Sequence, residues 1–153
     1  MAKKILLETR SEPVLYTLVG ISCHLRDYQL TYLLNEKLDL GFIKEEDFQG
    51  YSFFYCRDEN FFNSYYLLGN RGQESVLLPE MKQTDYLLLI EGPFKKIQKD
   101  RLLKNIQSLD SVLTSFEVKI DLIRNFETML NDLEIHFMTI HKELKVNYSP
   151  SKK

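Results

Sequence analysis

The sequence predicts an α+β domain, and three observations carry that prediction. Short β-branched or aromatic runs bounded by turn residues alternate with stretches whose apolar residues recur every three or four positions, and the longest such stretch comes last. With 153 residues, 44% hydrophobic and 12% aromatic, the chain has enough apolar surface for one core. A single domain over 1–145, followed by a flexible polar tail over 146–153, is therefore expected.

Val14 to Ile21 is apolar and β-branched enough for a first strand, and Pro13 sits where a strand begins without losing a ladder bond. Ser22 caps or immediately precedes a helix in which Leu25, Tyr28 and Tyr32, and Leu30, Leu33, Leu34 and Leu38, recur at helical spacing; Gly41 ends it. An acidic linker, Lys44 to Asp47, leads to the aromatic runs Tyr51–Cys56 and Phe61–Leu68 around the polar turn Arg57–Asn60. That pattern predicts a β-hairpin, closed by Gly69-Asn70-Arg71-Gly72. Tyr86 to Glu91 is the next strand, stopped by Gly92-Pro93. Lys95 to Leu109 reads as a second helix, with Ile97, Leu102, Leu103, Ile106 and Leu109 near one stripe and lysines opposite. Val112 to Ile120 alternates Phe116, Val118 and Ile120 against Glu117 and Lys119, as a half-buried strand does. The order βαβββαβ resembles a ferredoxin-like sandwich with an additional strand, its helices on one sheet face and its other face open to solvent or a partner.

The final stretch is the clearest periodic signal. Leu122, Phe126, Met129, Leu133, His136 or Phe137, Ile140 and Leu144 step by fours and threes along a helix of about 121–145. Three readings follow: a helix across the sheet's open face, a helix that projects and pairs a second subunit into a homodimer, or a break near Asn131-Asp132 with a strand through Glu134 to Ile140.

A formal charge of −2 and a pI near 5.9 argue against a domain built to neutralise phosphates, so a nucleic-acid partner is not expected beyond a local contact. Met1 to Glu8 lacks a secretory core, and no apolar run approaches a membrane span, which places the protein in the cytoplasm without a membrane partner. Cys23 and Cys56 read as free thiols.

Cys23-His24 is the most enzyme-like dipeptide, yet neighbouring side chains on a strand point to opposite faces, and no acid stands ready to orient the imidazole. The pair reads as a buried thiol and a polar helix-start residue, with a catalytic or ligand-contacting role as the functional alternative; no catalytic residue is assigned. His136 and His141 are five apart, about 140° round a helix, and do not grip one ion, so no metal and no cofactor is expected. Gln49 to Cys56 superficially matches the aromatic strand of RNA-recognition motifs, but no Lys or Arg interleaves its rings, and core packing is the simpler reading. Lys95, Lys96 and Lys99, with Arg101 and Lys104, form the one basic concentration. They are either a solvated helix face or an anion or RNA-backbone site at a helix start.

Leu78-Pro79-Glu80-Met81-Lys82-Gln83-Thr84-Asp85-Tyr86 runs a proline-initiated acidic loop into the most apolar strand. Pro79 fixes φ, and Asp85 is placed to bond nearby backbone N–H groups. The wording Pro-Glu, four residues, Asp-Tyr resembles the IPExxxVDY family of bacterial proteins, with Leu78 for Ile and Thr84 for Val. Gly20-Ile21-Ser22 before the first helix extends the likeness. The resemblance assigns no activity, and an enzyme is the third reading, which needs two or more titratable groups such as His24, Glu80 and Asp85 in one cleft. The resemblance implies that Pro79, Glu80, Asp85 and Tyr86, beside Cys23 and His24, form a partner or ligand surface. The expected function is a non-enzymatic protein-interaction or regulatory module that docks a protein partner beside Glu80 and Asp85. The alternative is a small-ligand regulatory domain resembling ACT domains, with a closed pocket beside Gly20 to His24.

Overall fold

A computed structural model describes residues 15–58, 60 and 62–148. The readings made for Met1 to Glu8, Pro13, Val14, Glu59, Phe61 and 149–153 lie outside the described residues. Six strands, β1 (Tyr16–Cys23), β2 (Ile43–Lys44), β3 (Phe53–Asp58), β4 (Asn63–Gly69), β5 (Tyr86–Glu91) and β6 (Val112–Val118), form one antiparallel sheet in the order β2-β3-β4-β5-β1-β6. Among the described residues three helices accompany it: α1 (Asp27–Leu38), α2 (Lys96–Gln107) and α3 (Phe126–Tyr148). The architecture is α+β, as expected, but the strand order is not that of a simple ferredoxin-like sandwich, because β2 and β3 extend the sheet beyond β4.

Several boundaries move for physical reasons. β1 runs on to Cys23 because Asp85 holds it there: the Asp85 N–H donates to the Ile21 carbonyl, and its carboxylate accepts the Cys23 N–H. β3 starts at Phe53, since Phe48 and Tyr51 exchange two 2.8 Å backbone bonds around Gln49 and Gly50, both at positive φ, and Tyr51 belongs to that turn. Asp39, not Gly41, ends α1: it takes the left-handed conformation and donates to the Asn35 carbonyl. Neither α1 nor α2 has a Ser or Asp cap. Gln29 and Gln98, three residues in, accept the N–H of Arg26 and Lys95 at 2.9 and 2.8 Å.

Apolar side chains alternate along the strands and build two cores, one on each face. Val19, Ile21, Leu88 and Ile90 meet Leu30 and Leu34 of α1 and Leu102 and Ile106 of α2. On the other face, Leu18, Leu87, Leu89 and Phe53 meet Phe126, Met129 and Leu133 of α3. The face expected to be open is thus covered by the chain's own last helix. That helix is continuous through Asn131-Asp132, so the broken reading fails, and it carries Val146 to Tyr148, which were expected in the tail.

α3 also starts later than predicted. Ile120–Leu122 form a 3-10 turn, Asn125 takes a positive φ of 62°, and Leu122 is 72% exposed, so the buried stripe begins at Phe126. Its inward residues are occupied by its own sheet, which leaves outward-facing Ile135 and Met138 for the homodimer expected through this helix. Ile97 likewise falls off the α2 stripe, at 64% exposed. Among the described residues, no helix is long and apolar enough to cross a membrane.

Candidate functional site

The loop between β4 and β5 is organised by a residue that sequence reasoning passed over as part of a turn. Asn70 is fully buried. Its Nδ2 donates to the carbonyls of Met81 and Thr84 at 2.8 and 2.9 Å, and its Oδ1 accepts the Leu78 N–H at 2.9 Å. Its backbone N–H donates to Asp85, and its carbonyl accepts from Leu77. One amide side chain thus closes the loop that carries the signature. A lone Asn between two glycines gives little sign of this, because its partners lie 8 to 14 residues ahead.

Within 78–85, Leu78 and Thr84 are the buried positions. Leu78 enters the α3-side core, and Thr84 packs against Gly20, where an added Cβ would lie 3.2 Å from the Thr84 methyl and 3.0 Å from the Phe116 ring. Pro79 is exposed and opens a 3-10 turn, Pro79–Met81. The two acids then part company. Glu80 Oε2 accepts the Arg124 backbone N–H at 3.0 Å and fastens the turn before α3. Asp85 faces the start of α1: Oδ2 accepts the Cys23 N–H at 2.9 Å and Oδ1 takes the Arg71 Nε–H at 2.8 Å. Tyr86 donates its hydroxyl to the Leu25 carbonyl at 2.6 Å, and burial pushes its phenol well above the ordinary range.

Cys23, His24, Asp85 and Tyr86 therefore converge on one groove, as their selection from sequence implied. Pro79 and Glu80 stay outside it. The groove holds about 570 Å³, runs open to solvent at the ends of β1 and β4 and the start of β5, and also takes in Arg26, Ser52 and Arg71. Arg71 is the charged residue of this groove's wall that sequence reasoning read only as part of a turn. Asp85 fixes its Nε, and no other hydrogen bond of its guanidinium occurs among the described residues. Arg26 and Arg71 face Asp27, Asp47 and Asp85 in the same wall, and Asp47 is paired with Lys44, so the groove's charges are nearly balanced. The expected closed pocket beside Gly20 is not there: Phe116 and Thr84 fill the space over Gly20, and the concavity beside His24 is open.

Cys23 is 2% exposed in the α1-side core, and burial raises its thiol, so it does not supply a thiolate at neutral pH. His24 is exposed beside it. Of Lys95, Lys96 and Lys99, two are engaged by acids. Lys96 pairs with Asp100 at 3.2 Å and Lys99 reaches Glu117 of β6 at 3.0 Å, while the Lys95 side chain has no acid partner among the described residues and lines an open concavity with Arg101. Tyr51, Phe53, Phe54 and Cys56 are buried, as the core reading of that aromatic run required.

Of the two histidines of α3, only His136 makes a side-chain hydrogen bond among the described residues. His136 Nε2 lies 2.9 Å from the Glu46 carbonyl with its ring against Phe48 and Phe53. His141 Nε2 lies 3.7 Å from Glu45, with its ring 4.1 Å from that of Phe137. Among the described residues, no group of three or more His, Cys, Asp and Glu side chains is arranged to hold a metal. No family model matches the chain, and no curated protein matches it.

Proposed function

We propose that this protein is a non-enzymatic interaction module, and that the groove bounded by Cys23, His24, Arg26, Arg71, Asp85 and Tyr86 receives a short segment of a protein partner. The observation that carries this reading is the Arg71 guanidinium, oriented by Asp85 at 2.8 Å with its terminal nitrogens bonded to no described residue. A fork held in that way is suited to a carboxylate, which it grips with two parallel N–H bonds. Because the groove's charges nearly balance, recognition rests on the orientation of the fork and not on net attraction. Its open shape suits an extended segment better than the enclosed effector pocket of an ACT-like domain.

The family and fold readings belong to the same proposal. Membership in the IPExxxVDY family is supported by Leu78-Pro79-Glu80 and Asp85-Tyr86, whose buried and exposed positions give the signature a physical sense. A ferredoxin-like core is supported by β4, β5, β1 and β6 lying side by side in that order, with α1 and α2 on one face and β2–β3 as an extension.

The test is the affinity of a capped triaspartate peptide for the full chain and for Arg71→Gln. The proposal expects saturable binding that weakens about tenfold in the variant, the loss of a charge-assisted hydrogen-bonded pair. Equal affinity of the two proteins, or weakening by Lys96→Gln instead, would move the function away from this groove.

A further inference from the structure

A second concavity lies on the opposite face, between α3 and the sheet. It is small, about 130 Å³, with room for roughly four water-sized groups. Three aromatic rings wall it: Tyr16 of β1, Tyr66 of β4 and Phe137 of α3. Two carboxylates stand in the same wall, Glu91 from β5 and Glu134 from α3.

This combination is unusual for a gap under a helix. Glu91 is half-buried, and Tyr66 donates its hydroxyl to one carboxylate oxygen at 2.6 Å. Glu134 projects from α3 toward the same space, and no Lys, Arg or His among the described residues pairs with either acid. Both acids bear on the Tyr16 phenol, which burial and these two charges raise to about 12. Two like charges beside a partly desolvated space are unfavourable unless a cation shares them. Aromatic faces, negative at their centres, add to the attraction for a cation that also presents apolar surface. A metal ion is poorly served here, since the rings exclude the several oxygen ligands that a hard cation requires.

We propose that the cavity lined by Tyr16, Tyr66, Phe137, Glu91 and Glu134 binds a compact alkylammonium group. The three rings surround its carbon atoms, and the two carboxylates neutralise its charge. The site is independent of the Arg71 groove, lies on the other face of the sheet and recognises the opposite charge.

The experiment is an NMR titration of the full chain with tetramethylammonium chloride, following the aromatic resonances of Tyr16, Tyr66 and Phe137, beside a parallel titration with tert-butanol, a neutral molecule of similar size. The expected result is saturable shifts with tetramethylammonium at millimolar concentration and none with tert-butanol. Glu134 is exposed, so Glu134→Gln preserves the fold and weakens binding about threefold; Glu91→Gln, which retains an acceptor for Tyr66, weakens it about tenfold. A trimethyllysine tripeptide that binds more tightly than tetramethylammonium assigns the group to a protein side chain, and one that binds more weakly assigns it to a free cation. Absence of saturable shifts, equal response to tert-butanol, or unchanged affinity in both variants overturns the proposal.

Discussion

The two faces of the sheet are closed in different chemical languages. On one, α1 and α2 lay leucine and isoleucine over valine, leucine and isoleucine, and the rings of that core, Phe42, Phe54, Tyr65 and Tyr86, come from strands and loops and not from the helices. On the other, α3 meets Phe48, Phe53, Tyr55 and Tyr66 with Phe126, His136 and Phe137, so hydroxyls and ring nitrogens come into the contact and must find partners. Aliphatic surface closes by area alone. Aromatic surface closes by geometry, and where the rings do not tile, the 130 Å³ cavity with its two glutamates remains.

If that difference is real, equal truncations should cost unequal amounts. Leu34→Ala, in the aliphatic face, should lower stability by about 4 kcal/mol, and Leu133→Ala, where the aromatic face can relax into its cavity, by about 2–3 kcal/mol. Urea unfolding of the two variants compares them directly, and a larger loss at Leu133 would reverse the contrast. Asn70→Ala, which removes three hydrogen bonds and orphans the buried Thr84 carbonyl and Leu78 N–H, should cost about 2–3 kcal/mol by the same measurement and expose the 70–85 loop to proteolysis. His136→Ala removes one bond to Glu46 and two ring contacts from the aromatic face alone, and should cost about 1 kcal/mol with α3 amides near it exchanging faster.

The smallest expected effect lies at alkaline pH. Burial pushes the Cys56 thiol in the aliphatic face up to about 11 and the Tyr16 phenol in the aromatic face up to about 12. In each case the unfolded chain releases its proton first. The stability tied to Cys56 is therefore complete below about pH 9 and is lost as pH rises toward 11; that tied to Tyr16 follows between about 10 and 12. Thermal melts from pH 8 to 11 should fall more steeply for the wild type than for Cys56→Ala. Identical slopes would show that the thiol is not held neutral by the aliphatic face.

The same contrast sets how much could be read from the sequence. Leu30 and Leu34, and Leu102 and Ile106, announced two helices because burial follows an aliphatic period. Helix starts were harder, since Gln29 and Gln98 do the capping from inside each helix. Cys23, His24, Asp85 and Tyr86 line one groove, while Glu80, grouped with them from the sequence, lies outside it. Adjacent acids in a loop carry no mark of which will reach 44 residues to Arg124 and which 62 residues to Cys23. Arg71 was invisible for a related reason. An arginine in a glycine turn becomes a binding fork only when a carboxylate 14 residues later fixes its Nε.

The most direct test of the central claim is an amide NMR map of the full chain during titration with the triaspartate peptide. The account predicts saturable shifts at Cys23, His24, Arg26 and Arg71, with Lys95 to Lys104 of α2 unmoved. Shifts centred on α2, or none that saturate, would contradict it.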